Sequence, residues 1–364
     1  MIRLKDEVTF IENKTFTGRK LLVGIKNDNS YICIKSEYME SFYNLLRKIG
    51  VDNTLTNENF DKKEIELLEV LHNHGYLVGD KNVKKAFSEY NMLVRVFKRF
   101  KLKKNQINIK NKNIFYIVYA LFWIGAMGFF LQNGEYLNEK IQIANFTFFE
   151  ILLCFTVIPI LIDMTHELGH YLVAECLGVE ASDITIGFFV TWPTIYIRYK
   201  GLNLYSTRDK LCVISAGIAM HILNTMLGVL LKKIGIDSNI LTIWCIANVG
   251  MISTNLMFLG ASDGYFILTN LIGVYNLRYR GYMALKHILR GKFSVGYSNY
   301  LCAAIVLGCW IWSFFGIYIT LNYYGNIFSL SYSLIIVVSS LLIILLFVRL
   351  ITKIKKIGID YHPQ

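Results

Sequence analysis

Long apolar runs alternate with short polar segments over most of the chain after its first hundred residues. Six of these runs are long enough to cross about 30 Å of hydrocarbon as helices. The pattern therefore predicts a mainly α, six-span helical integral membrane protein. The predicted spans cover roughly residues 114–132, 147–174, 210–231, 239–259, 300–321 and 331–351.

The first 94 residues have a mixed pattern that predicts a small soluble α+β domain. β-rich runs on both sides of Asn27–Asn29 predict a hairpin. Helical patterns follow at 36–50 and 60–75, and a short strand follows at 76–78. This order is winged-helix-like. The first 90 residues carry no apolar segment of the kind found in a cleaved signal, so we expect the N-terminus on the cytoplasmic side.

The distribution of basic residues supports this topology. The formal net charge is +12, and nucleic-acid binding is one interpretation of such a basic chain. However, the basic blocks flank the apolar runs, where membrane topology places them on the inner side. Residues 95–113 contain eight Lys or Arg and no acid, which suits a linker lying against anionic headgroups. We therefore expect a lipid bilayer and no nucleic acid as partner, with both termini cytoplasmic. The predicted domains are 1–94, the basic linker 95–113, the membrane domain 114–352 and a basic tail 353–364.

The segment "THELGH" places two histidines and a glutamate inside an apolar run. His166 and His170 are four residues apart, so on a helix they project from one face and can bind one ion together. Imidazole suits zinc, and a catalytic zinc takes three protein ligands and a water. Glu167 could accept a proton from that water. The alternative is a polar cluster that holds membrane helices together.

A third ligand is offered by Asp263, the only charged side chain between residues 238 and 277. An ionised carboxylate beside a membrane span requires a positive partner or a metal. Gly260 and Gly264 bracket it and would allow the chain to open there. The alternative is that Asp263 caps the N-terminus of a half-helix.

The segment from Glu180 to Gly201 predicts a β-hairpin between the second and third spans. It could hold an extended substrate as an added strand. A structural hairpin that plugs the cytoplasmic mouth is the other interpretation.

These residues together resemble a known family. "HELGH" in a membrane helix, with Asn255 eight residues before Asp263–Gly264, resembles the site-2 protease family of intramembrane zinc metalloproteases. "DGYFILTNLIGVYNLRYR", with "PTIYI" and "SAGI" upstream, is similar to the branch of peptide zinc metalloproteases encoded with bacterial peptide-maturation and export systems. The resemblance covers roughly residues 146–290. It implies that His166, His170 and Asp263 bind zinc.

The resemblance also implies roles for other residues and a substrate class. Glu167 would be the general base, Asn255 would position the substrate, and the bacterial cell membrane would be the location. The substrate would be a membrane-associated peptide or a single-span protein. The N-terminal segment is weakly similar to PqqD-like domains, which implies a leader peptide as a further partner.

The chain departs from the family pattern at two places. Phe258 stands where the family commonly has proline, and His221 stands where it often has asparagine. His221 could donate a hydrogen bond to the oxyanion formed when water attacks an amide, which would make it catalytic. Equally, it could make an interhelical hydrogen bond.

Three functions remain open from the sequence. The first is a peptidase that matures a ribosomally made peptide. The second is a site-2-type protease that processes a transmembrane regulator. The third is a non-catalytic, metal-binding membrane module in a peptide export or immunity system.

Overall fold

The structure is a computed structural model. It describes residues 4–5, 7–15, 18–25, 30–51, 60–74, 76–78, 94–102, 109, 111–137, 146–189, 192–236, 238–256, 262–274, 277–291, 297–327 and 331–356. The predicted turn at Asn27–Asn29 lies outside these residues, as do Gly75, Phe258, Gly260 and the end of the predicted tail.

The chain divides into two compact units. The first unit comprises Met1–Lys112, His170–Val213 and Asn270–Gly273. The second comprises Asn113–Gly169, Ile214–Thr269 and Val274–Gln364.

The first unit begins with a three-stranded antiparallel sheet followed by two helices. The predicted hairpin is confirmed as β2 and β3, and the two predicted helices are confirmed as α1 and α2. A preceding strand, β1, was not predicted because its polar residues interrupt the alternation of apolar ones. The bounds are β1 Val8–Thr15, β2 Gly18–Ile25, β3 Ser30–Lys35, α1 Ser36–Val51 and α2 Lys62–Asn73, and the sheet order is β1-β2-β3.

The core of this part of the unit forms where one face of β2 meets α1 and α2. Leu21 and Val23 of β2 pack in one cluster with Phe42 of α1 and Leu71 of α2, all almost fully buried. The start of α2 is fixed by a capping box, in which the Asp61 carboxylate accepts from the backbone N–H three residues later.

A second sheet in the first unit confirms the other predicted hairpin and adds a strand to it. β5 and β6 pair antiparallel, and β4 pairs with the other edge of β5. β4 occupies residues that the sequence predicts as basic linker. Since β5 is paired on both sides, an added strand could pair only with β4 or β6. The bounds are β4 Val94–Lys101, β5 Ala181–Phe189 and β6 Trp192–Tyr199.

Five helices of the described residues are long and apolar enough to cross a membrane, which supports a multi-pass membrane protein. In the apolar window of α3 only 6% of the residues are buried, as expected for a helix surrounded by lipid. The sixth predicted span falls on α10, whose described apolar stretch, Ser333–Leu345, is shorter than the other five. The five are α3 Lys112–Gln132, α4 Phe148–Leu177, α5 Thr207–Lys233, α6 Asn239–Leu256 and α9 Tyr297–Ile327; the remaining helices are α7 Asp263–Ile272, α8 Leu277–Leu289 and α10 Tyr332–Lys356.

The backbones of α4 and α5 approach closely at Gly169. A Cβ atom built on Gly169 would lie 2.2 Å from Met220 Cγ and 2.6 Å from the Ala216 carbonyl oxygen. Membrane helices pack closely where small residues allow it, because lipid supplies no hydrophobic force between them. Gly169 therefore sets the separation of α4 and α5.

We expect Gly169→Ala to destabilise the protein by about 1–3 kcal/mol, because the methyl group must displace a backbone carbonyl of α5. The thermal unfolding temperature of the metal-free protein in detergent measures this. Gly125→Ala is the matched control, since a Cβ there meets nothing within 4 Å. That control should unfold at the wild-type temperature or slightly above it, given the higher helix propensity of alanine. Equal unfolding temperatures for the two variants would contradict the close approach.

Candidate metal centre

The two histidines of "THELGH" lie one turn apart on α4 and are both buried. Their exposed fractions are 7% for His166 and 8% for His170. Glu167 lies between them and is half-buried. In a helix, residues three and four apart share a face, so His166 and His170 point the same way, with Glu167 beside His170.

The ring of His170 is oriented by a backbone carbonyl. Its Nδ1 lies 2.7 Å from the Val213 carbonyl oxygen. A carbonyl oxygen can only accept a hydrogen bond, so Nδ1 must carry the proton. The lone pair of His170 is therefore on Nε2, the arrangement common to histidines that bind metals.

The ring of His166 lies between a second histidine and a carboxylate. Its Nδ1 is 2.9 Å from His221 Nε2 on α5. On the other side, its Nε2 is 3.4 Å from Asp263 Oδ2. The two imidazole rings are tilted by 32°, with centroids 4.8 Å apart.

Asp263 is the first residue of α7, and the residues around it make contacts that define where this helix begins. The Ser262 hydroxyl accepts from the Tyr265 backbone N–H at 3.4 Å, so Ser262 and not Asp263 caps the first turn. Tyr265 is buried, and the Arg278 guanidinium lies 3.4 Å from the centre of its ring. These contacts fix the start of α7 and favour the ligand interpretation of Asp263 over the capping one.

The arrangement of the three side chains fits a metal ion. One ligand atom each from His166, His170 and Asp263 lie within 4.8 Å of one another. Two ligand atoms bound tetrahedrally to zinc, each at about 2.0–2.2 Å, are about 3.3–3.6 Å apart. The distance of 3.4 Å between His166 Nε2 and Asp263 Oδ2 lies in this interval. Two imidazoles and a carboxylate also form a donor set that zinc accepts.

Gly217 allows the His166 ring to take this position. A Cβ atom on Gly217 would lie 2.3 Å from His166 Cε1 and 2.5 Å from its Nε2. The ring therefore rests directly on the α5 backbone, one turn before His221. Gly217 belongs to the "SAGI" segment, and its role here is to leave room for the imidazole.

Two further predicted residues have well-defined surroundings. His221 is fully buried, and both ring nitrogens are engaged, Nε2 with His166 and Nδ1 with Asn248 Oδ1 at 3.1 Å. These contacts favour the interhelical interpretation of His221 over the oxyanion one. Asn255 lies near the end of α6, and its amide Nδ2 donates to the Met251 carbonyl at 3.0 Å. Its predicted role in substrate positioning stays a prediction.

Two further polar residues, Asn224 and Asn248, lie close to the histidines and were not predicted from the sequence. Asn224 Nδ2 donates to Thr165 Oγ1 at 2.8 Å and to Asn248 Oδ1 at 3.2 Å. Asparagine is costly in an apolar helix, and this could have identified Asn224 and Asn248 as candidates.

No family model matches the chain, and no curated protein or solved structure gives a significant match.

We expect Gly217→Ala to weaken zinc binding roughly tenfold or more, because the added methyl group displaces the His166 ring from its place against α5. Zinc affinity is measured by competition with a chelating dye. Gly308→Ala on α9, where a Cβ meets nothing within 4 Å, should bind zinc like the wild type. Unchanged affinity in Gly217→Ala would show that the His166 ring does not bind the metal from this position.

Proposed function

We propose that this chain is an intramembrane zinc metalloendopeptidase. Its substrate would be a membrane-associated peptide or a single-span protein, and its role would be the maturation of a ribosomally made peptide at a bacterial cell membrane. The observation that carries the proposal is the cluster of His166, His170 and Asp263, whose ligand atoms lie within 4.8 Å of one another beside Glu167. The cluster lies where one helix apolar enough to span a membrane meets the start of α7.

His166 and His170 would bind the ion through Nε2, and Asp263 would bind it through its carboxylate. Zinc, when bound, supplies a Lewis acid that polarises a peptide carbonyl and makes water acidic. The negative charge of Asp263 is then balanced by the cation, which explains how a carboxylate is tolerated in such apolar surroundings.

Glu167 is the proposed general base. A carboxylate one residue after the first histidine and three before the second lies beside a shared ion without having to bind it. It would accept the proton of the attacking water and return it to the leaving amine. Proton transfer of this kind typically contributes about 10²–10⁴-fold to a rate.

We propose that α10 is the sixth span and that both termini are cytoplasmic, because residues 95–113, 275–292 and 349–356 carry the basic blocks. A leader peptide is the proposed partner of the N-terminal domain. A cavity of about 810 Å³ there is lined by residues of β1, β2 and α1, including Arg19, Tyr43 and Arg47.

Glu167→Gln tests the enzymatic proposal. The variant should keep about one zinc per chain, measured by elemental analysis, because the substitution leaves all three proposed ligands in place. Cleavage of a library of apolar peptides, detected by mass spectrometry of new termini, should fall by about 10²-fold or more. Glu135→Gln, at an exposed position of the 3₁₀-helix Gly134–Leu137, is the matched control and should cleave like the wild type.

The possible outcomes separate the candidate functions. Zinc binding without cleavage by the wild type would favour the non-catalytic membrane module. Wild-type cleavage by Glu167→Gln would contradict the role of Glu167. If deletion of residues 1–90 abolishes processing of one precursor peptide but not of the library, the leader-binding role is supported over a site-2-type role in regulation.

A further inference from the structure

A chain of buried polar contacts links the carbonyl of Trp244 to the proposed ligand His166. It passes through Asn248 on α6 and His221 on α5 to His166 on α4. All of these residues belong to the second unit. The contact with the Trp244 carbonyl allows only one placement of its hydrogen atom, and that placement determines the donor and acceptor in each contact that follows.

The amide group of Asn248 can take only one orientation. One end of its amide lies 2.8 Å from the Trp244 carbonyl oxygen, and a carbonyl can only accept. The NH₂ group of Asn248 must therefore face Trp244, and its Oδ1 must face the other way. This oxygen is the atom that lies 3.1 Å from His221 Nδ1.

The orientation of the Asn248 amide determines the tautomer of His221. Asn248 Oδ1 can only accept, so His221 Nδ1 carries a proton and donates it. A second proton on Nε2 would place a positive charge on a side chain with 0% exposure, which is costly. In the neutral ring Nε2 is an acceptor.

The tautomer of His166 follows from that of His221. Since His221 Nε2 accepts at 2.9 Å, His166 Nδ1 carries the proton and donates it. The lone pair of His166 is then on Nε2, the nitrogen that lies 3.4 Å from Asp263 Oδ2. The carbonyl of Trp244 thus determines, through two side chains, which nitrogen of His166 can bind a cation.

We propose that Asn248 and His221 are positioning residues that act as a tautomer relay for His166, and this rests on the proposed metal site. The two histidines of α4 are oriented by different means. His170 donates directly to a backbone carbonyl, whereas His166 faces His221, whose ring has no fixed tautomer of its own. Asn248 fixes this tautomer, because its Oδ1 accepts a hydrogen bond from His221 Nδ1. Asn224 supports it by donating to the same Oδ1.

The test compares zinc affinity in four variants of the full-length protein in detergent, with Zn²⁺ as the only ligand. His221→Leu and Asn248→Leu should each bind zinc about 10–100-fold more weakly. His221→Gln should bind it close to the wild-type affinity, because a glutamine amide can donate to Asn248 and accept from His166. The double variant of His221→Leu with Asn248→Leu should be no weaker than His221→Leu alone, since the relay is already broken.

A merely structural role would give a different result. If His221 only packs α5 against α4, the leucine variant should bind zinc at least as well as the glutamine variant, and the two leucine substitutions should act independently. Tyr282→Phe is the matched control, because it removes a buried interhelical hydrogen bond from Trp310 in another part of the unit. It should leave zinc affinity unchanged. Thermal unfolding of each metal-free variant shows whether it is folded, and His221→Gln decides if a leucine variant is not.

A second measurement needs no metal. The ring ¹⁵N chemical shifts of the metal-free protein should show His221 and His166 both protonated on Nδ1, with the His221 signals assigned by their loss in His221→Gln. Protonation of either ring on Nε2 alone would overturn the relay. Zinc binding without peptide cleavage would instead overturn the peptidase proposal and leave the relay standing.

Discussion

The close approach of α4 and α5 is the constraint on which the candidate centre depends. Glycine on each helix, Gly169 on α4 and Gly217 on α5, leaves space that a methyl group would fill. Without that space the His166 ring could not rest on the α5 backbone or reach His221. In a bilayer, helices gain no hydrophobic energy by leaving lipid, so such close packing must supply the attraction. The same two glycines thus allow both the helix packing and the position of the His166 ring.

The polar network next to this contact is stable only as a complete set. His221 and Asn248 are fully buried, and each unsatisfied polar group in hydrocarbon costs several kcal/mol. Here each side chain donates a hydrogen bond to the next one, and the backbone carbonyl of Trp244 accepts the last hydrogen bond of the network. A network of this kind allows little variation at any single position. It therefore favours one arrangement of α4, α5 and α6 over nearby alternatives.

Helices and the faces of helices depend on local sequence pattern and could be predicted. Contacts between residues that are distant in the sequence could not. Apolar runs located the five long helices, and the spacing of His166 and His170 placed both on one helical face. The contact between His166 and His221 joins residues 55 positions apart, and helical spacing shows which face a residue occupies but not which neighbour it meets. β4 was missed for the same reason, because its basic residues matched a linker and its partner strand lies far downstream.

The pairing of β4 with β5 also has a consequence for biosynthesis. Residues 102–180, which include two helices apolar enough to enter a membrane, are made between the two strands. At a translation rate of about 5–20 residues per second, β4 remains without its partner strand for roughly 4–16 s. An unpaired strand is a template for aggregation, and exposed charges are the usual protection. Lys98, Arg99 and Lys101 are exposed on β4, so their positive charge would keep the nascent strand soluble until β5 is synthesised.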